Sequence, residues 1–221
     1  MPEKNMKPHN LDHALIVVEG PIGVGKTTLA RRLATTLNAQ LVLEMAEQNP
    51  FLERFYQDRT TFALPAQLHF LFQRKRQLEP LRQPDLFRTP VVMDYLLEKD
   101  RLFAEINLNE EELELYQQVY QHLAPSCPTP DLVIYLQAPV EILMQRVRKR
   151  ALPAEKTIGL DYLKQISDAY TRFFHFYDDA PLLIVNASGL DLVENEAHYH
   201  ALLTRIAETR SGRNYFNPLT I

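Results

Sequence analysis

Residues 20–27 of this 221-residue chain read Gly20-Pro21-Ile22-Gly23-Val24-Gly25-Lys26-Thr27, and Thr28 follows. The spacing G-x-x-x-x-G-K-T suits one chemistry, the cradling of a nucleoside triphosphate. Glycines let backbone N–H groups converge on phosphate oxygens, and the helix that opens behind them adds partial positive charge. Lys26 can reach the β- and γ-phosphates, and the Thr27 hydroxyl is the expected protein ligand for Mg²⁺. The segment from Gly20 to Thr28 is therefore the expected site for ATP with its magnesium ion.

Two carboxylates stand where ligands gather in an open α/β sheet, just past the carboxyl ends of strands. Glu44 follows Leu41-Val42-Leu43, and Asp94 follows Val91-Val92-Met93. A carboxylate at position 44 can take the proton of an attacking hydroxyl, or it can simply open an exposed loop. Asp94 can orient magnesium-bound water or a substrate sugar, or cap a helix. Gln67 and Arg74, seven residues apart in a helix-period stretch, project from one helix face. A glutamine offers a donor and an acceptor in one plane, which suits the edge of a nucleobase; it also serves as ordinary helix surface. Phe62, Phe70 and Phe72 either stack on such a base or fill core. Arg146, Arg148, Lys149 and Arg150 close another helix. There they either complement the helix dipole or form a lid over the phosphates.

Alternating strands and helices must position these residues. Strands are expected at Ala14–Glu19, Gln40–Leu43, Pro90–Asp94, Asp131–Leu136 and Pro181–Val185, each short, apolar and followed by helical sequence. The longest helix is expected from about Leu64 to Arg82, with Leu64, Leu68, Leu71, Phe72 and Leu78 as its buried stripe. Further helices are expected at Glu98–Ile106, Glu110–His122, Val140–Arg150, Gly159–Tyr177 and Leu190–Glu208. The resulting expectation is an α/β P-loop kinase fold: a five-stranded parallel sheet with helices on both faces and a short arginine-rich lid. Residues 1–12 read as a flexible N-terminus, 13–210 as a single domain and 211–221 as a C-terminal tail.

Composition narrows the function. A net charge of −4 argues against a general nucleic-acid binder. The single cysteine, Cys127, lies in a proline-rich loop and excludes an internal disulfide, which fits a cytoplasmic protein. No run approaches the roughly 18 apolar residues of a membrane span. No Asn-Lys-x-Asp guanine-reading motif is present, so a switch GTPase is disfavoured. Small-molecule kinase remains the leading class.

With these residues in view, the chain resembles the deoxynucleoside kinase family, especially its bacterial deoxyguanosine/deoxyadenosine kinases. The similarity runs from about Leu15 to Ala187. It is carried by Glu19 through Thr28, by Asn49-Pro50-Phe51-Leu52-Glu53-Arg54-Phe55-Tyr56, by the Gln67 and Arg74 helix, by Val92-Met93-Asp94-Tyr95 with Leu102-Phe103-Ala104, and by Asp131 through Leu136. The resemblance implies that Glu44 activates the substrate 5′-hydroxyl. It implies that Gln67 pairs with the base beside Arg74, and that Tyr56 and Glu155 hold the deoxyribose 3′-hydroxyl. Arg146 and Arg150 resemble the catalytic arginines of the lid, and a homodimer is implied, with the helices near Leu64 and Glu98 as contacts.

The chain also departs from the family pattern. Many members carry Asp/Glu-Arg-Ser after the third strand, where this chain has Asp94-Tyr95-Leu96. A base-reading Asp often found shortly afterwards is matched here by Lys99, with Asp100 next to it. A lysine can donate to a purine O6 or N7 but cannot accept from an exocyclic amine, which favours purines, guanine slightly ahead. The expected reaction is ATP-dependent 5′-phosphorylation of a purine 2′-deoxynucleoside. The alternatives are a pyrimidine deoxynucleoside kinase, a nucleoside monophosphate kinase, whose thymidylate members usually show Asp-Arg-Tyr after the third strand, and a non-catalytic nucleotide sensor, which would lack Lys26 or Glu44.

Overall fold

Strand β1 (Leu15–Glu19) is buried along its whole length, as a β-branched apolar run is when strands pair with both its edges. In the computed structural model, which describes residues 14–82, 89–123, 128–190 and 195–218, those neighbours are β3 (Val91–Met93) and β4 (Leu132–Gln137). Ile16 stands opposite Val92 on one side and Leu132 on the other. Strand β2 (Gln40–Val42) lies outside β3, and β5 (Leu182–Asn186) and then β6 (Arg213–Phe216) lie outside β4. The sheet order is β2-β3-β1-β4-β5-β6, with every pairing parallel. All the strand ends that matter for ligands, Glu19, Glu44 and Asp94, therefore open at the same edge.

Among the described residues the sheet thus has six strands, not the expected five. The sixth comes from the stretch read as a tail. Arg-Asn-Tyr-Phe is no aliphatic run, and its exposed and half-buried residues alternate, as they do on an edge strand with one covered face. Gly212, at φ 62°, turns the chain into it.

Helices flank the sheet: α1 (Lys26–Leu37), α2 (Leu52–Gln57), α3 (Arg59–Leu78), α4 (Lys99–Asn107), α5 (Glu110–Leu123), α6 (Val140–Arg150), α7 (Leu160–Phe176) and α8 (Glu196–Glu208). Helix α3 starts five residues before the expected Leu64, because the Asp58 side chain caps Thr61 N and the helix absorbs Pro65. Its buried face also differs from the leucine stripe. Leu71 and Leu78 are fully buried, but Phe72 is 46% exposed, and Gln67, Gln73 and Arg74 are buried instead. A helix that turns polar side chains inward is building a site. Helix α7 is locked to β4 by rings, with Tyr135 and Phe174 stacked at 4.1 Å between centroids.

Among the described residues the expected arginine-rich lid is not evident. Helix α6 ends at Arg150 on a left-handed Ala151, and a 3-10 turn (Pro153–Glu155) packs against α2. Arg146 donates to the main-chain oxygens of Val24 and Ala187, Arg150 pairs with Glu155, and Arg148 and Lys149 lie exposed on the helix. The basic cluster is thus divided between tying the fold and complementing the helix end. The expected flexible N-terminus (1–12), Cys127, residues 191–194 of the expected last helix and the final residues 219–221 lie outside the described residues.

Candidate active site

The phosphate loop follows directly from β1. Gly20 (φ +148°) passes so close to β4 that a Cβ would sit 2.3 Å from Leu136 O, and at Gly23 (φ +83°) one would sit 2.7 Å from Leu143 O on α6. Only glycine fits these two close approaches. Gly25 then caps α1, whose first turn carries no acidic residue to compete for its free N–H groups. Lys26 Nζ bends back into the loop, donating to Gly20 O at 2.7 Å and Pro21 O at 3.2 Å. Arg146 braces the outside through Val24 O (3.1 Å) and Ala187 O (2.7 Å). Beneath the loop, the buried Glu19 carboxylate accepts from Gly20 N, Leu96 N and the Tyr170 hydroxyl, at 2.8, 2.8 and 2.9 Å.

From the loop a hydrogen-bonded path leads to the second carboxylate. Thr27 Oγ1 donates to Asp94 Oδ2 at 2.6 Å, and Glu44 N donates to Asp94 Oδ1 at 2.6 Å. The peptide units flanking Glu44 are gripped from α3, by Gln77 Nε2 on Leu43 O (2.8 Å) and Gln73 Nε2 on Met45 O (3.0 Å). The Glu44 side chain is split between two cations, with Oε1 on Arg74 and Oε2 on Lys99 Nζ at 2.6 Å. Burial opposes its charge, but Lys99 and Arg74 outweigh burial and hold the carboxyl well below the usual carboxylate range. Lys26 responds the other way. Burial and the neighbouring Lys99 bring it down to about 8, against Glu19, Glu44 and Asp94.

On the far side of Glu44, Arg74 also pairs with the fully buried Asp100. Burial pushes Asp100 up to about 6 although Arg74 pulls against it. Its Oδ2 makes no hydrogen bond of good geometry, with the Tyr116 hydroxyl beside it. Gln67 is buried about two helical turns further back on α3. Tyr56, half-buried at the end of α2, packs edge-on against Tyr162. Burial, with Tyr162, Glu155 and Glu44 nearby, pushes its phenol well above the ordinary range, so it donates rather than ionises. Glu155 is held by Arg150 Nε at 3.1 Å.

The structure therefore gathers Lys26, Thr27, Glu44, Arg74, Asp94 and Lys99 at one centre, with Tyr56, Glu155 and Arg150 beside it. Lys99, expected against the base, reaches Glu44, while Asp100 takes the place beside Arg74. Sequence reasoning missed Glu19, Tyr170, Gln73 and Gln77, and raised Asp100 only as the neighbour of Lys99. Gln73 and Gln77 carried a usable signal, since polar residues at 67, 73, 74 and 77 share one face of a helix.

Known proteins resemble this chain in sequence and in fold. The deoxynucleoside kinase family model matches residues 16–210. The chain is 34% identical over 198 residues to a deoxyguanosine kinase of Bacillus subtilis, covering 87% of this chain and 96% of that protein. It is 26% identical over 213 residues to a deoxyadenosine/deoxycytidine kinase of the same organism, covering 91% and 96%. Its fold is similar to a solved deoxyadenosine kinase from M. mycoides holding dCMP and a flexible dCDP, with a TM-score of 0.76, 24% identity, and 88% of this chain and 99% of that chain covered.

Proposed function

This chain belongs to the deoxynucleoside kinase family, and on that premise we propose a purine 2′-deoxynucleoside as the acceptor whose 5′-hydroxyl takes the γ-phosphoryl group of ATP. The protein is a phosphotransferase that converts a deoxynucleoside to its 5′-monophosphate at the expense of ATP. The purine rests on the 34% identical relative, which by name acts on deoxyguanosine. Deoxycytidine is the second reading, supported by the 26% identical relative that by name acts on deoxyadenosine and deoxycytidine.

One observation carries the mechanism: the main chain of Glu44, whose carboxylate is ionised, is tied to the phosphate loop by two hydrogen bonds, from Glu44 N to Asp94 and from Thr27 to Asp94. Lys26 exchanges the loop carbonyls for phosphate oxygens when the triphosphate enters. The Thr27 hydroxyl and the Asp94 carboxylate are hard oxygen donors that would hold Mg²⁺. Among the described residues no three His, Cys, Asp or Glu side chains gather around a metal, which fits an ion bound largely by phosphates and water. When bound there, the ion would supply charge neutralisation on the phosphate oxygens. Glu44 accepts a hydrogen bond from the 5′-hydroxyl and orients its lone pair. The O5′–P bond forms, the bond from γ-phosphorus to the bridging oxygen breaks, and the hydroxyl proton passes to Glu44. A loose transition state asks for positioning more than for a strong base, so the depressed basicity of Glu44 is no obstacle. Tyr56 and Glu155, the latter fixed by Arg150, serve the deoxyribose 3′-hydroxyl, and Gln67 and Arg74 serve the base. Arg146 acts on the loop it braces.

Replacing Glu44→Gln should lower kcat about 10²-fold or more while the Kd for ATP stays near wild type. Near-normal turnover in that variant would remove Glu44 from the role.

A further inference from the structure

We propose that Lys99 is the positioning residue of the transfer centre, holding the Glu44 carboxylate for the attacking hydroxyl at the phosphate end of the cleft rather than reading the base. This rests on the 5′-phosphorylation reading above. Lys99 opens α4 and is the first cation after β3, since Tyr95, Leu96, Leu97 and Glu98 separate it from Asp94. It is 8% exposed, and its ammonium lies 2.6 Å from Glu44 Oε2 with the Phe103 ring 5.4 Å away. The backbone around Glu44 is already fixed by Asp94, Gln73 and Gln77. What remains free is the carboxylate's own rotation, and that is what Arg74 and Lys99 remove, one oxygen each.

The two cations are not equivalent. Arg74 ties Glu44 to the buried Asp100. Lys99 lies toward the loop, close enough for its charge to bear on Lys26. An ionised carboxylate has about four lone-pair sites, so a hydroxyl still finds an acceptor with both cations in place. Without Lys99, Glu44 keeps its charge through Arg74 but swings about that single contact. Reacting groups misplaced by an ångström lose rate rather than affinity.

The test is steady-state kinetics of Lys99→Met and Lys99→Arg with deoxyguanosine and deoxyadenosine, alongside the Kd for ATP. Lys99→Met should lower kcat about 10²-fold on both nucleosides and leave the ratio of their kcat/KM values within about twofold of wild type. ATP should bind as before, and Lys99→Arg should restore most of kcat. A base-reading Lys99 predicts the opposite pattern, a raised KM at near-normal kcat with an altered ratio between the nucleosides, and that result overturns the proposal. Failure of Lys99→Arg to restore kcat also overturns it. If Lys99→Met does not fold, the arginine variant decides alone: wild-type nucleoside preference with most of kcat supports positioning, and a shifted preference contradicts it. Absence of turnover in the wild-type enzyme would instead strike the 5′-phosphorylation reading itself.

Discussion

The half-buried Lys26 ammonium bends into the phosphate loop, where desolvation and Lys99 bring its pKa down to about 8. The cation needed for ATP exists below that pH and is lost above it. The free-enzyme parameter kcat/KM for ATP should therefore fall as pH rises through about 8, whereas kcat, measured with the anionic triphosphate bound, should hold to higher pH. A kcat/KM profile flat to about pH 10, the range of an ordinary lysine, would contradict the assignment. At this scale the sequence was legible wherever a motif fixed position. Lys26, Thr27, Glu44 and Asp94 meet as their places after β1, β2 and β3 require. Lys99 and Asp100 were not separable, because neighbours on a helix point about 100° apart and only packing decides which one faces Glu44.

Among the elements, the phosphate loop is held by close backbone approach, and Gly23 is its tightest point against α6. A Cβ there meets Leu143 O at 2.7 Å and Val147 Cγ2 at 2.9 Å in a left-handed conformation. Gly23→Ala should cost about 2 kcal/mol or more of stability in urea unfolding and weaken ATP binding with it. A loss under about 0.5 kcal/mol would mean that α6 yields easily. Strands of Val, Ile and Leu declared themselves, as did α6, whose expected and observed bounds coincide at Val140–Arg150. Helix α3 did not, because Pro65 resembles a helix start while the operative cap is Asp58. The short α2, six residues between Asn49-Pro50 and Asp58, carries too little periodicity to be read. The basic end of α6 showed why charge alone misleads. Its arginines are divided among carbonyls, Glu155 and solvent, and no flap forms.

At the scale of the molecule, β6 completes the sheet from beyond the expected domain end, through pairing that no local pattern announces. The layered α/β plan was legible because each strand is followed by helical sequence; the sixth strand was not, because an edge strand needs only one apolar face. Among the described residues no helix is long and apolar enough to cross a membrane. The homodimer implied by the sequence resemblance is a proposal: it predicts twice the 25.7 kDa chain mass in sedimentation equilibrium, and a single-chain mass at micromolar concentration would contradict it. The central claim, phosphoryl transfer from ATP to a deoxynucleoside 5′-hydroxyl with a purine preferred, is tested most directly by incubating the protein with γ-labelled ATP and each of the four natural deoxynucleosides, then resolving the labelled products. The account predicts label in deoxynucleoside 5′-monophosphates, with deoxyguanosine or deoxyadenosine ahead of the pyrimidines. Label only in pyrimidine products would contradict the purine preference, and ATP binding without any labelled nucleoside would contradict the transfer itself.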